Sequence, residues 1–352
     1  MLNAHFEFRS KRDGQLYLAS YQHDGRDRVG AVVEETHLID LSEAAQRIGA
    51  SWPHATMHDL IAAGPEALDQ AREIVAQASA NDVTRTPTEE VTWHPPIIRP
   101  GKIIGVPLNN SASDARKISS PDHPMFFHKP TTCLLGHHQP IIARPHYGGF
   151  HPEPELGVVI GKLAKDVDPR TAMDFVFGYT IINDLTGNEM RASDQVHYWA
   201  LYPKPDNPDE VERREQHLSY TARYKGSDGF GPTGPWIATK EEIPDPHVLD
   251  VKCSVKGEVY TQDSTANYTY RVEEIIAYIS RYQTLEPGDL ISMGTAFRAS
   301  DTSRRPLHTA NLARIGGPCE ISISGIGTLT NPVAVDDSDP GDWRLPNKKS
   351  SS

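Results

Sequence analysis

A chain of 352 residues with 35 Lys and Arg against 47 Asp and Glu carries a formal charge of −12, which argues against nucleic acid or an anionic membrane as partner. Its length permits a large buried core, no apolar run reaches membrane-spanning length, and Met1 to Lys11 lacks the apolar centre of a secretory leader, so a cytoplasmic protein is expected. Cys133, Cys253 and Cys319 are far apart and odd in number, which suits a reducing compartment and gives no zinc spacing.

In chain order, strand-like runs at Gln15 to Tyr21 and Val29 to Glu34 flank the turn signal His23-Asp24-Gly25, and His37 to Asp40 adds a third run. A helix starts at Leu41, with Ser42 as the expected cap, and Met57 to Ala80 reads as helical with an interruption at Gly64-Pro65. Ser79 to Glu90 is polar and linker-like. These elements predict a small N-terminal α+β domain over residues 1–90.

The second predicted domain, residues 91–335, is mostly β. Lys102 to Val106 reads as a strand, and Met125-Phe126-Phe127-His128-Lys129-Pro130 is an apolar run closed by proline. Leu156 to Ile160 and Phe175 to Ile182 are apolar and rich in β-branched residues, as buried strands are. Asp168-Pro169 signals a helix start, with aspartate at the cap and proline in the first turn. Ala192 to Arg223 is polar and carries Pro203, Pro205 and Pro208, so it reads as a surface excursion that could serve as a lid. Leu249 to Val255 and Glu258 to Thr261 form a hairpin about Lys256-Gly257. Val272, Ile275, Ile276 and Ile279 have helical spacing, and Leu285-Glu286-Pro287-Gly288-Asp289 turns into a strand at Leu290 to Met293. Cys319 to Leu329 gives a late strand region, and residues 336–352 read as a disordered tail.

The chemistry concentrates at His151-Pro152-Glu153-Pro154-Glu155-Leu156. Alternate residues of a strand share a face, so Glu153 and Glu155 point the same way, with His151 able to join them. Two carboxylates losing water side by side need positive charge, and a divalent cation supplies it most simply. Asp184, at the end of the apolar run Phe175 to Ile182, offers a third carboxylate. An all-carboxylate set suits a hard ion such as Mg²⁺ or Mn²⁺. Spacing alone leaves a solvated acidic strand edge equally open. Gly229 to Gly234 satisfies G-x-G-x-x-G, but Pro232 and Pro235 interrupt it and no helix follows, so a dinucleotide site is not expected.

Taken together and in order, the runs Met125 to Pro130, His151 to Leu156, Gly178-Tyr179-Thr180-Ile181-Ile182-Asn183-Asp184, Lys225 with Gly234-Pro235-Trp236, and Leu285 to Thr295 resemble the fumarylacetoacetate hydrolase superfamily over roughly residues 100 to 333. The resemblance implies an α+β fold, mostly β, with a mixed, rolled sheet core and a small N-terminal domain. It implies a homodimer binding Mg²⁺ or Mn²⁺, with Ca²⁺ as a third option, through Glu153, Glu155 and Asp184. It also implies an enzyme acting on a small keto acid or diketone, foremost a hydrolase of a carbon–carbon bond in acylpyruvate-like compounds or products of aromatic-ring catabolism. Decarboxylation, hydration or isomerisation on the same fold is the alternative. Lys225 matches the family's active-site lysine, and Thr295 the threonine that contacts the substrate carboxylate.

Two departures stand out. Where many members carry a lid histidine and glutamate that activate water, this chain has Ser113 and Arg116. Serine without a basic partner is no base near neutral pH. Where the family has arginine and glutamine after the metal aspartate, Asn188 and Arg191 stand as candidate substrate-binding residues. Arg191 could grip a carboxylate, or pair with Glu189 or Asp194 at the surface. His308 is the candidate replacement base, with His123, His128, His137, His138, His151 and His197 also near the motifs.

Overall fold

The computed structural model describes residues 15–81, 83–298 and 306–336, together with Ser338. Its centre is the strand Pro154–Ile160, buried along its whole length between Val176–Asn183 and Leu290–Thr295, antiparallel to both. A strand buried on both faces has no polar side to alternate with, which is why its sequence is apolar without a break from Leu156 to Ile160. On one flank the sheet continues through Gly231–Thr239, Tyr17–His23, Arg26–Val33 and His37–Asp40 to Thr86–Pro87. On the other it continues through Ile103–Gly105 to Phe127–Lys129, with Ile103–Gly105 running parallel to its neighbour, so the twelve-stranded sheet is mixed. The N-terminal strands are thus part of the same sheet, and Thr92–Trp93, beyond the expected boundary at residue 90, pairs with Tyr17–His23.

Alternation along Pro154–Ile160 sends side chains into two cores. Leu156, Val158 and Ile160 face one, with Val251, Cys253, Ile321 and the helix Val272–Tyr282. Val159 faces the other, with Phe177, Ile237 and the helices Leu41–Ile48 and Pro65–Ala80. A second sheet, Glu258–Ser264, Asp250–Val255, Cys319–Ile323 and Gly327–Asn331, closes the first core.

Three local expectations change. The first helix is capped by Asp40, whose carboxylate accepts from the Glu43 N–H at 2.8 Å, and Ser42 lies inside the first turn. Asp168 instead accepts from the Arg170 N–H at 2.9 Å, and only a short 3-10 turn, Ala172–Phe175, follows. The excursion after Asp184 holds a regular hairpin, Gln195–Pro203 with Val211–Ser219, exposed along most of both strands. The expected tail lies, apart from Asp336 and Ser338, outside the described residues.

Candidate metal centre

Strand register builds the centre. Pro154 pairs with Asn183 and Glu155 with Ile182, so the start of one strand meets the end of the next. Glu153 sits one residue before its strand and is held there twice. Its N–H donates to Asn183 Oδ1 at 3.0 Å, and its carbonyl accepts from the Asp184 N–H at 3.0 Å. One carboxylate oxygen from each of Glu153, Glu155 and Asp184 lies within 4.8 Å of the others. Glu155 and Asp184 are 3% and 2% exposed, whereas Glu153 is part-exposed.

Glu155 Oε2 accepts from Ser292 Oγ at 2.6 Å and from the Gly294 N–H at 2.9 Å. Gly294 has φ 87°, and a Cβ there would meet the Val106 carbonyl oxygen at 2.6 Å, so the backbone approaches Glu155 only because this residue is glycine. Thr295 lies opposite Glu155 in the register, and its hydroxyl accepts from Asn110 Nδ2 at 3.4 Å.

Two lysines supply the positive charge. Lys225, on the helix Ala222–Gly226, donates to Glu153 Oε2 at 2.7 Å and to Asp184 Oδ2 at 2.5 Å. Lys129, at the end of Phe127–Lys129, has a fully buried side chain that bonds to Asp184 Oδ1 and donates to the carbonyls of Lys225 at 2.5 Å and Phe230 at 3.0 Å. Burial alone would raise the Glu153 carboxyl and lower the Lys225 ammonium. Their mutual attraction reverses both, with His151 helping to hold Glu153 low and Asp184 the largest contributor to raising Lys225. Glu155 goes the other way. Burial first, then the Asp184 charge, pushes it up to about 8. A buried carboxyl that resists ionising beside two others marks a place short of positive charge. Three convergent oxygen donors with that shortage fit a hard divalent cation.

His151 is buried, with Nε2 3.2 Å from Glu153 Oε1 and Nδ1 without a hydrogen-bond partner. Asn188 and Arg191 lie on the helix Asn188–Ser193, where Arg191 is exposed. Neither expected surface partner engages it, since Glu189 accepts from the Gly149 N–H and Asp194 is bound by Arg223. His308 is exposed on the turn Leu307–Thr309, and among the described residues no hydrogen bond or ion pair joins it to the three carboxylates. Ser113 lies on the short helix Ser111–Asp114 and Arg116 in the turn that follows it. The Arg116 guanidinium donates back to the Ala112 carbonyl at 2.9 Å, so it does not complete a base there.

Sequence reasoning assigned no role to Lys129. Its signal was a lysine in the apolar run Met125 to Pro130, where a strand buried on that side leaves a cation nothing to do but meet an anion.

Residues 102–334 match the family described as fumarylacetoacetate (FAA) hydrolase, C-terminal. The chain is 31% identical over 249 residues to the 4-hydroxyphenylacetate degradation bifunctional isomerase/decarboxylase of Salmonella dublin, a match covering 70% of this chain and 49% of that one, so it spans about half of that relative's length. Among solved structures, a maleylpyruvate hydrolase from Sphingobium sp. SYK-6, in complex with manganese(II) and pyruvate, is similar at 25% identity and TM-score 0.64 over 91% of this chain and 99% of that one. A fumarylacetoacetate hydrolase from psychrophilic Exiguobacterium antarcticum is similar at 25% identity and TM-score 0.67 over 91% of this chain and 100% of that one. Among the described residues no helix is long and apolar enough to cross a membrane.

Proposed function

The chain belongs to the fumarylacetoacetate hydrolase family, and from that premise we propose that it is a divalent-metal-dependent enzyme that hydrolyses a carbon–carbon bond in a small keto acid or dicarbonyl compound. The observation that carries the reading is the convergence of Glu153, Glu155 and Asp184 beside Lys225. These carboxylates would hold Mg²⁺ or Mn²⁺, and the manganese in the Sphingobium maleylpyruvate hydrolase, together with its pyruvate, supports both the ion and the substrate class. Bound there, the ion would act as a Lewis acid on a keto-acid oxygen.

The chain's own residues would do the rest. Lys225 and Lys129 bind and orient the two oxygens of Asp184, and Ser292 and Gly294 orient Glu155. Lys225 also faces charge that develops on the substrate. Thr295 and Asn188 would contact the substrate, and Arg191, free of its expected surface partners, would bind its carboxylate in a fork. Hydrolysis needs water to lose a proton as it adds to a carbonyl, and the departing carbon to gain one. His308 is the proposed acceptor, because its turn packs on the strand Phe150–His151 that leads into Glu153. The proposal includes a homodimer in the cytoplasm.

A second reading, decarboxylation or isomerisation of a keto or enol acid, is favoured by Ser113 and Arg116, which provide no lid base, and by the Salmonella isomerase/decarboxylase. Acylpyruvates, oxaloacetate and cyclic diketones, assayed with Mg²⁺ or Mn²⁺ in ¹⁸O-labelled water, decide between them. Hydrolysis puts solvent oxygen into a new carboxylate. Release of CO₂, or an isomer without label, selects the second reading, and no turnover across the panel overturns both. His308→Ala should abolish hydrolysis while sparing metal binding.

A further inference from the structure

We propose that His197, His217 and Glu215 form a second metal site on the exposed hairpin, one that takes Zn²⁺. Gln195–Pro203 and Val211–Ser219 pair without a break, which sets His197 directly opposite His217. Residues two apart share a strand face, so Glu215 projects beside His217. The two imidazole rings stack with centroids 3.9 Å apart and planes 14° apart. His197 Nε2 bonds to Glu215 Oε1, and His217 Nε2 lies 3.5 Å from the same oxygen. One donor atom from each of the three residues lies within 4.8 Å of the others.

The donor set differs in kind from the carboxylate centre. Two imidazole nitrogens and one carboxylate are a zinc set that leaves a fourth position to water. Imidazole suits Zn²⁺ and its borderline neighbours, whereas Mg²⁺ prefers oxygen and keeps its waters. The hairpin also has a use for the ion. Two strands with little packed on either face are marginal by themselves. An ion held by His197 on one strand and His217 and Glu215 on the other ties the two together near their base. That base lies between the helix Asn188–Ser193 and the helix Ala222–Gly226 that carries Lys225, so the tie would steady a segment bordering the carboxylate centre. The site rests on the hairpin alone and stands whatever reaction the centre catalyses.

The test is a calorimetric Zn²⁺ titration of the full chain, run on the wild type with Mg²⁺ in excess and on Glu155→Gln, whose carboxylate centre is impaired. Both should bind one Zn²⁺ at the hairpin, and Zn²⁺ should slow amide exchange over residues 195–219. Loss of a residue that merely supports a metal ligand costs about 10–100-fold in affinity, so adding His197→Ala or His217→Ala should weaken Zn²⁺ binding about 100-fold or more and abolish the exchange effect. Glu215→Gln keeps both imidazoles and should weaken binding less, which separates loss of a ligand from loss of the hairpin. Zn²⁺ binding unchanged by the histidine substitutions, or no Zn²⁺ bound by either starting protein, would overturn the site and leave an ordinary surface His–Glu pair.

Discussion

The carboxylate centre and the hairpin Gln195–Ser219 both gather metal-type side chains, yet one lies at the middle of a twelve-stranded sheet and the other on two strands exposed to solvent. In the centre, the carboxylates have lost most of their water and each leans on a named partner: Asp184 on Lys129 and Lys225, Glu153 on Lys225, Glu155 on Ser292 and Gly294. On the hairpin, groups of the same kinds keep their water, and solvent and salt screen what they feel. Burial, more than residue type, decides what a charge must be given.

The comparison is most exposed at Lys129. Lys129→Met takes the partner from Asp184 Oδ1, leaving that carboxylate to Lys225 alone, and leaves the Lys225 and Phe230 carbonyls without their donor, and breaking such a buried pair costs about 3–5 kcal/mol. The matching change on the hairpin, Lys204→Met, removes an exposed pair with Glu210 and should cost at most about 1 kcal/mol. Urea unfolding of both variants gives the two figures, and equal costs would erase the distinction.

Gly294→Ala comes next. It forces a side chain onto a residue at φ 87° and against the Val106 carbonyl, a strain of about 1–3 kcal/mol. Because the Gly294 N–H orients Glu155, metal affinity should fall along with stability. A variant that loses stability but binds Mn²⁺ as before would detach Gly294 from the centre.

A smaller effect is expected at the substrate. Lysine cannot copy the guanidinium fork, so Arg191→Lys should raise KM for a carboxylate-bearing substrate about tenfold, the equivalent of about 1.4 kcal/mol. Lys225→Ala should instead act mainly on kcat. If Arg191→Lys leaves KM unchanged in steady-state assays, Arg191 belongs to the surface.

How much could be read beforehand follows from how local each signal is. Glu153 and Glu155 are two apart where the chain enters one strand, so their closeness was legible, and Asp184 closed the next apolar run. The helix Val272–Tyr282 carried its own 3.6-residue stripe. The apolar run around Lys129 hinted at a buried cation, but its partners were not legible, because they lie 55, 96 and 101 residues further on. The first strands gave no sign that they continue the main sheet, since Tyr17 and Leu18 find their partners at Ala238 and Ile237. The hairpin was missed as strand for a different reason. Val196 and Tyr198 fall on one face and Trp199 and Leu201 on the other, so no two-residue apolar period exists to be read. At the first helix, Asp40 and Ser42 are both good caps, and the backbone took the earlier.

The central claim is that Glu153, Glu155 and Asp184 hold one divalent ion. The most direct measurement is a crystal structure of the protein grown with Mn²⁺ and phased for manganese, beside the same experiment on Glu155→Gln. The account predicts one manganese peak with oxygens of all three carboxylates at about 2.0–2.6 Å, lost or strongly weakened in the variant. Carboxylates pointing apart around an empty space, or a manganese peak that Glu155→Gln leaves untouched, would contradict it.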